Sequence, residues 1–262
     1  IIVHPDVRKN LLKMKSMSEG LRALVMWIAI NLDRAERAPT EAERTAADDL
    51  VQLLTPVVKS LGTDGGFDVT NLGVQIFGGH GFIREHGMEQ FVRDARITQL
   101  YEGTNGIQAL DLVGRKMSAH FGRYLRSFFH PVQEFIEDNA SDPAMEEFVL
   151  ALAKAFGRLQ QAVGAVAQKG MGNPNEAGAA ATDLLNLLGY VALGYLWARM
   201  AKLAMGKQDD DPTGFYKGKI KTAKFYMVKV LPITGALLSS ILAGGDSIMD
   251  LEEDLFGASV AA

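Results

Sequence analysis

Three features of this sequence predict an all-α protein. Apolar residues repeat at helical spacing through long runs. No stretch of useful length alternates apolar and polar residues as a half-buried strand would. The punctuation between the runs is that of helix ends, with Pro5-Asp6, Thr40 three residues before Glu43, Gly78-Gly79 and Asp142-Pro143.

Pro5 and Asp6 suit a first helical turn, because proline has no N–H to satisfy there and the carboxylate faces the positive end of the helix dipole. Val7, Leu11, Met14, Leu21, Val25, Ile28 and Leu32 then define the predicted inward face of a long helix ending between Arg34 and Pro39. Thr40 and Glu43 form a capping-box pattern that opens a second helix. Its predicted inward face is Leu50, Leu53, Leu54, Val57 and Leu61. Gly62, Gly65 and Gly66 are expected to loosen or bend it, before Val69, Leu72 and Ile76 resume the period up to the Gly78-Gly79 stop. A short amphipathic helix from Met88 to Leu100 follows. Another is expected from Thr104, with Ile107, Leu110, Val113 and Met117 inward.

A boundary is expected between Met117 and His120, dividing residues 1–118 from residues 119–262. The second unit opens with Phe121, Leu125, Phe128 and Phe129. It continues from Asp142-Pro143 through Phe148, Leu152, Phe156, Leu159, Val163 and Val166, and turns over Gly170 to Asn175. The segment Asp183 to Met205 is apolar almost all round, which places it at the centre of a bundle. Lys207 to Gly214 reads as a solvated loop, and a last helix through Phe225, Val228 and Leu231 is expected to kink near Pro232. The aromatic residues Phe121, Phe128, Trp197, Phe215 and Phe225 are expected in the core. The acidic segment Asp246 to Asp254 ends in Leu255-Phe256, an apolar pair suited to clip against a neighbouring surface.

Composition narrows the function classes. The 262 residues are 48% hydrophobic, enough for one large core or two smaller ones. A net charge of −4 gives no reason to expect a nucleic acid partner. With no cysteine there is no disulfide, thiolate metal site or cysteine nucleophile. Ile1-Ile2-Val3-His4-Pro5 resembles no secretion signal, so a cytoplasmic location is expected. The missing initiator methionine suggests a piece of a longer protein. The most apolar stretch, Val230 to Ala243, is shorter than a bilayer span and is expected to be a buried helix, not a membrane span. Lys217, Lys219, Lys221 and Lys224 upstream of it read as a solvated face, with attachment to a membrane interface as the alternative. His80, Glu85 and His86 match no helical metal-ligand spacing, and no metal site is expected. Arg93, Asp94 and Arg96 are expected to form an ion-pair cluster.

The chemistry points to residues 75–108. Glu102 follows Leu100 and Tyr101 and precedes Gly103. Apolar neighbours could desolvate its carboxyl and raise its pKa toward that of a useful base; equally, it could be no more than the acidic charge of the helix that follows.

The order of Gln75-Ile76-Phe77-Gly78-Gly79-His80-Gly81-Phe82, Arg93-Asp94-Ala95-Arg96-Ile97 and Tyr101-Glu102-Gly103-Thr104 resembles the C-terminal catalytic helical domain of the acyl-CoA dehydrogenases, over residues 1–118. The remainder is similar to the extra helical region of a larger subgroup that includes methylthiopropionyl-CoA dehydrogenases. The resemblance implies a four-helix bundle followed by a second helical bundle. It implies FAD as cofactor, an acyl-CoA substrate oxidised to the trans-2-enoyl-CoA, an electron-transfer flavoprotein as acceptor, and a homodimer or higher oligomer. Glu102 corresponds to the catalytic base and Gly103 to a backbone that passes close to the acyl chain. Gln75, Ile76, Phe77, Gly78 and Gly79 correspond to a segment contacting the flavin dinucleotide of an adjacent subunit. Thr104, Asn105 and Gly106 correspond to a second flavin-contacting segment. Two other readings stay open: a non-catalytic helical module for oligomerisation or docking, and a fragment of an acyl-CoA oxidase.

Overall fold

The computed structural model describes residues 1–257, and every regular element in that range is helical. In order these are α1 (Pro5–Arg37), α2 (Glu41–Phe77), α3 (Gly79–Phe82), α4 (Met88–Ile97), α5 (Asn105–Asp111), α6 (Ala119–Asn139), α7 (Glu146–Gly172), α8 (Pro174–Met205), α9 (Phe215–Phe225), α10 (Thr234–Ala243) and α11 (Asp246–Met249), joined by short 3₁₀ and π turns.

The centre is α8. Leu184, Leu185, Leu187, Leu188, Val191, Leu193 and Trp197 are all buried, so its apolar surface runs around the whole helix, as the sequence predicts. Such a helix is stable in water only if others enclose it, and α1, α2, α5, α7, α9 and α10 do so. One continuous cluster of buried side chains results, from Leu24, Leu53 and Leu54 through Leu112 and Phe128 to Leu159 and Tyr226. Trp197 spans α8 and α1, its indole N–H donating to the Ser16 carbonyl at 3.1 Å. Gly20 makes that approach possible, because a Cβ there would lie 2.9 Å from Trp197 Nε1.

The predicted boundaries of α1 and α2 agree with the structure, including the Thr40–Glu43 capping box. The five predicted inward residues of α2 are all buried. The predicted face of α1 is rotated. Its buried stripe is Ser16, Met17, Gly20, Leu24, Ile28 and Asn31, and Val25 and Leu32 are exposed. Close packing against α8 selects small residues, which a reading of apolar residues alone passes over. The glycines of α2 do not break it. Gly65 lies where a Cβ would come 2.8 Å from Leu21 Cδ1, so it seats α1 instead.

Further differences follow the same logic. In α5, Ile107 and Leu110 are exposed, and Ala109, Leu112 and Met117 face inward. A π turn at Leu112–Lys116, closed by the Met117 N–H to Leu112 carbonyl bond of 3.0 Å, shifts the phase by one residue. His120, Phe121 and Gly122 then adopt left-handed backbone angles, and the Phe121 side chain is 98% exposed. Phe215 is also exposed, whereas Phe128 and Trp197 are fully buried. Helix α7 starts three residues after Pro143 and runs to Gly172, leaving Asn173 alone between it and α8.

The last helix is interrupted as predicted, by a π turn at Tyr226–Val230 and a 3₁₀ turn at Leu231–Ile233 around Pro232. Val230 and Leu231 are buried, but helix α10 buries only Thr234 and Ile241, so most of the stretch from Pro232 to Ala243 lies on the surface rather than forming a buried helix. Two stretches, Pro174–Met205 and Phe215–Ala243, are long and apolar enough to cross a bilayer by length and composition. The first is mostly enclosed by other helices, whereas only a third of the second's most apolar window is buried. Leu255 and Phe256 remain exposed.

Lys219 departs from the predicted solvated lysine face. It lies over the Trp197 ring at 5.7 Å and pairs with Glu19 at 2.7 Å, tying α9 to α1. Partial burial alone would raise the Glu19 pKa, but hydrogen bonds from Lys15 and Lys219 hold its carboxyl below the ordinary value of 4.5. A depressed carboxyl contributes stability that is complete above pH 4.5 and is lost as pH falls through the folded value. Glu19→Gln is expected to lower the thermal midpoint at pH 7 by no more than about 2–4 °C. The gap from wild type should close in acid, as calorimetry across a pH series will read.

Candidate active site

Helix α4 is amphipathic and runs out in a series of turns, in which the N–H groups of Gln99, Leu100 and Tyr101 donate to Arg96 and Ile97 carbonyls. The chain then reverses. Glu102 sits at φ +55° and Gly103 at φ +93°, two left-handed residues in succession, before Thr104 returns to extended geometry and α5 begins. A left-handed glutamate is strained by roughly 1–2 kcal/mol, since its Cβ crowds the following carbonyl. Gly103 meets the same demand without that cost. A Cβ at Gly103 would also lie 2.8 Å from Gln108 Nε2, which approaches the Gly103 carbonyl at 3.4 Å.

This reversal is pinned from below. The Asn105 N–H donates to the Gln99 carbonyl at 3.3 Å, closing the loop into a ring. One oxygen of Asp64, on α2, accepts from Gln99 Nε2 at 2.5 Å and from Asn105 Nδ2 at 2.6 Å. Asn105 Nδ2 also approaches the Ser60 carbonyl at 3.4 Å, and Asn105 Oδ1 lies 3.1 Å from the Thr63 hydroxyl, whose single proton is shared with the Lys59 and Ser60 carbonyls at 2.8 and 3.0 Å. Arg96 holds the other end of the Gln99 amide, donating to Oε1 at 3.0 Å. Behind the loop lies a polar cleft of about 270 Å³ whose walls include Lys13, Asp64, Asp68, Gln99 and Tyr190. Burial pushes the Tyr190 phenol above its ordinary range, and the Asp68 and Asp64 carboxylates add to the effect.

The site residues expected from the sequence are distributed as follows. Glu102, Gly103 and Thr104 are exposed at the reversal, so the chain itself does not desolvate Glu102. Leu100 and Tyr101 are about half exposed, and Phe82, Phe91, Ile97 and Ile107 on the flanking elements are also exposed. Gln75 to Gly79 close α2, with Gly78 at φ +61° and open space where Cβ atoms would stand on Gly78 and Gly79. Asn105 differs from expectation most sharply: both ends of its side-chain amide are engaged by α2. Gly106 lies in the first turn of α5 with open space around it.

The expected ion-pair cluster is not formed among the described residues. Asp94 accepts from Gln90 Nε2 at 2.7 Å, and Arg96 turns to Gln99. On a helix, residues one or two apart point in different directions, whereas Gln90 and Asp94 are one turn apart. His80 and His86 pack ring against ring, 5.2 Å between centroids.

Sequence reasoning missed Asp64, Gln99 and Thr63. Their partners lie 35 to 42 residues away, beyond any local pattern.

Residues 1–117 match the family model described as "Acyl-CoA dehydrogenase, C-terminal domain", and residues 128–252 match "Acetyl-CoA dehydrogenase C-terminal like". The chain belongs to the acyl-CoA dehydrogenase family, and it corresponds to a C-terminal portion of those proteins. It is 38% identical to 3-methylmercaptopropionyl-CoA dehydrogenase of Ruegeria pomeroyi over 95% of its own length and 42% of that protein. In fold it is similar to Caenorhabditis elegans ACDH-11 in complex with C11-CoA, with a TM-score of 0.78 and 19% identity over 98% of this chain and 41% of that one. An acyl-CoA dehydrogenase of Bacillus anthracis complexed with FAD gives a TM-score of 0.70 and 18% identity over 97% of this chain and 44% of that one. The chain therefore spans less than half the length of the relatives it matches.

Gly103→Ala adds a Cβ to a left-handed residue and should open the reversal locally. Exchange of the Asn105 amide is expected to accelerate about 5- to 30-fold, corresponding to 1–2 kcal/mol, by hydrogen-exchange mass spectrometry. The buried amides of α8 should exchange at the wild-type rate.

Proposed function

We propose that the chain is the catalytic C-terminal part of an FAD-dependent acyl-CoA dehydrogenase, with Glu102 as the base that removes the α-proton of an acyl-CoA thioester. The observation that carries this reading is the strained, exposed Glu102 on a reversal whose two ends are pinned to α2. Strain held in place by surrounding bonds is a mark of functional positions. A helix-start charge needs neither the strain nor the pins.

An α-proton of a thioester is too weakly acidic for a solvated glutamate. The exposed apolar side chains of Leu100, Tyr101, Ile97 and Phe91 supply a surface that the rest of the longer protein and the substrate can cover. Covering it removes water from Glu102, so that its carboxylate can take a proton from carbon. The Glu102 backbone N–H faces the task of holding the thioester oxygen as enolate charge develops there. Gly103, without a side chain, lets the acyl chain pass close to the backbone. The proton goes to the Glu102 carboxylate and a hydride leaves the β-carbon, giving the trans-2-enoyl-CoA.

FAD, when bound, supplies the acceptor for that hydride. The bare backbone of Gly78 and Gly79, with open space above both, fits the close approach of a dinucleotide held by Gln75, Ile76, Phe77, Gly78 and Gly79. Thr104 and Gly106 remain available at the start of α5. Asn105 would contribute through its backbone, since its amide is engaged with α2. The solved Bacillus anthracis relative carries FAD, which supports the assignment.

We divide the chain into residues 1–118, which hold these positions, and an extension of residues 119–262. The whole protein is proposed to be a cytoplasmic homodimer or higher oligomer that passes electrons to an electron-transfer flavoprotein. An oxidase would instead yield peroxide with oxygen, a direct discriminator.

This chain alone should be helical and nearly free of flavin, because it supplies one wall of the pocket. Stoichiometric flavin surviving gel filtration would contradict that. In the full-length protein, Glu102→Gln should slow anaerobic flavin reduction by acyl-CoA by roughly two to four decades, with flavin content unchanged. Reduction at the wild-type rate would place the base elsewhere.

A further inference from the structure

The geometry points to Asp64 as the positioning residue that fixes the Glu102 reversal in its reactive shape, an inference that rests on Glu102 being the base. Residues 100–104 contain the strained glutamate, and the two residues that bracket them, Gln99 and Asn105, donate to the same oxygen of Asp64. A carboxylate receiving two amide donors binds them more strongly than a neutral acceptor would. The Asn105 N–H to Gln99 carbonyl bond closes the ring at the same place. The loop ends are thereby fixed to a 37-residue helix that packs on both α1 and α8, while the tip stays free to meet substrate.

Apart from these two bonds, Asp64 does little for the helix that carries it. Asp64 is part-exposed, lies mid-helix where alanine is the better helix former, and forms no ion pair closer than 4.0 Å among the described residues. Among the described residues its side chain bonds to the two ends of the reversal. The neighbouring residues reinforce the same function. The Thr63 hydroxyl and Ser60 carbonyl orient the Asn105 amide, and Arg96 orients the Gln99 amide, so each donor is aimed from two sides. Without Asp64, the left-handed Glu102 can relax toward ordinary backbone angles and carry its carboxylate away from the α-carbon. A displacement of about 1 Å at a reacting group can cost on the order of 100-fold in rate.

The test uses the full-length, FAD-loaded protein and three variants: Asp64→Ala, Asn105→Asp, and the two changes Asp64→Asn and Asn105→Asp combined. Two quantities are read, amide exchange across residues 100–105 and the rate of anaerobic flavin reduction by acyl-CoA. Asp64→Ala should accelerate that exchange and slow reduction roughly 10- to 100-fold, with flavin content and KM for the acyl-CoA close to wild type. Asn105→Asp sets carboxylate against carboxylate and should do the same. The combined variant restores the amide-to-carboxylate bond between positions 64 and 105 in the opposite sense but sets a donor against Gln99 Nε2, so it should reduce its flavin faster than Asn105→Asp alone and slower than wild type. Wild-type exchange or a wild-type reduction rate in Asp64→Ala overturns the inference. Loss of flavin or of the fold in that variant assigns Asp64 to structure and overturns it as well. Glu102→Gln, measured alongside, separates the two claims. If it keeps the wild-type reduction rate the base reading fails, and exchange across residues 100–105 in Asp64→Ala still decides whether the clamp exists.

Discussion

The structure depends on enclosing α8. A helix with apolar residues on every side has no face it can give to water, and the other long helices take their places from that requirement. Small residues decide how closely they come. Gly20 admits Trp197 to α1, and Gly189 lies where a Cβ would stand 2.6 Å from Leu61 Cδ2 on α2. Through Leu61 the core reaches the part of α2 that carries Ser60, Thr63 and Asp64. Through those three it reaches the reversal at Glu102. The site is exposed at its tip and held at its base for this reason: its ends are bonded to a helix fixed by the core, and its apex projects into solvent.

Much of this was legible in the sequence. The capping box at Thr40, the inward face Leu50 to Leu61, the all-apolar centre and the break near Pro232 each rest on a local rule, and each agrees with the structure. Errors gathered where tertiary packing overrides local pattern. The buried stripe of α1 uses Ser16, Gly20 and Asn31, which no hydrophobic periodicity selects. The inward face of α5 slipped because a π turn adds a residue, and Phe121 sits outside on a left-handed turn where its apolarity predicted the core.

The candidate site divides along the same line. Residues 75–79 and 102–106 are proposed from their motifs, and no motif marks what holds the second group. Bonds between residues 35 to 45 apart leave no periodic trace, so nothing local singles out Asp64 beside Gly62, Gly65 and Gly66. Asn105 carries the clearest lesson. Its place in the motif suggested a ligand contact, and its side chain instead faces α2. The side chain of a motif residue can therefore hold the loop and leave the backbone to meet the ligand.

The central claim is that the carboxylate of Glu102 removes a proton from carbon. Its most direct test omits the hydride step. The full-length protein is incubated in D₂O with an acyl-CoA that has α-hydrogens and none on the β-carbon, and α-proton signal is followed by NMR. Wild-type protein should wash out that signal, and Glu102→Gln should leave it in place at equal ligand occupancy. Washout at the wild-type rate in Glu102→Gln would contradict the account.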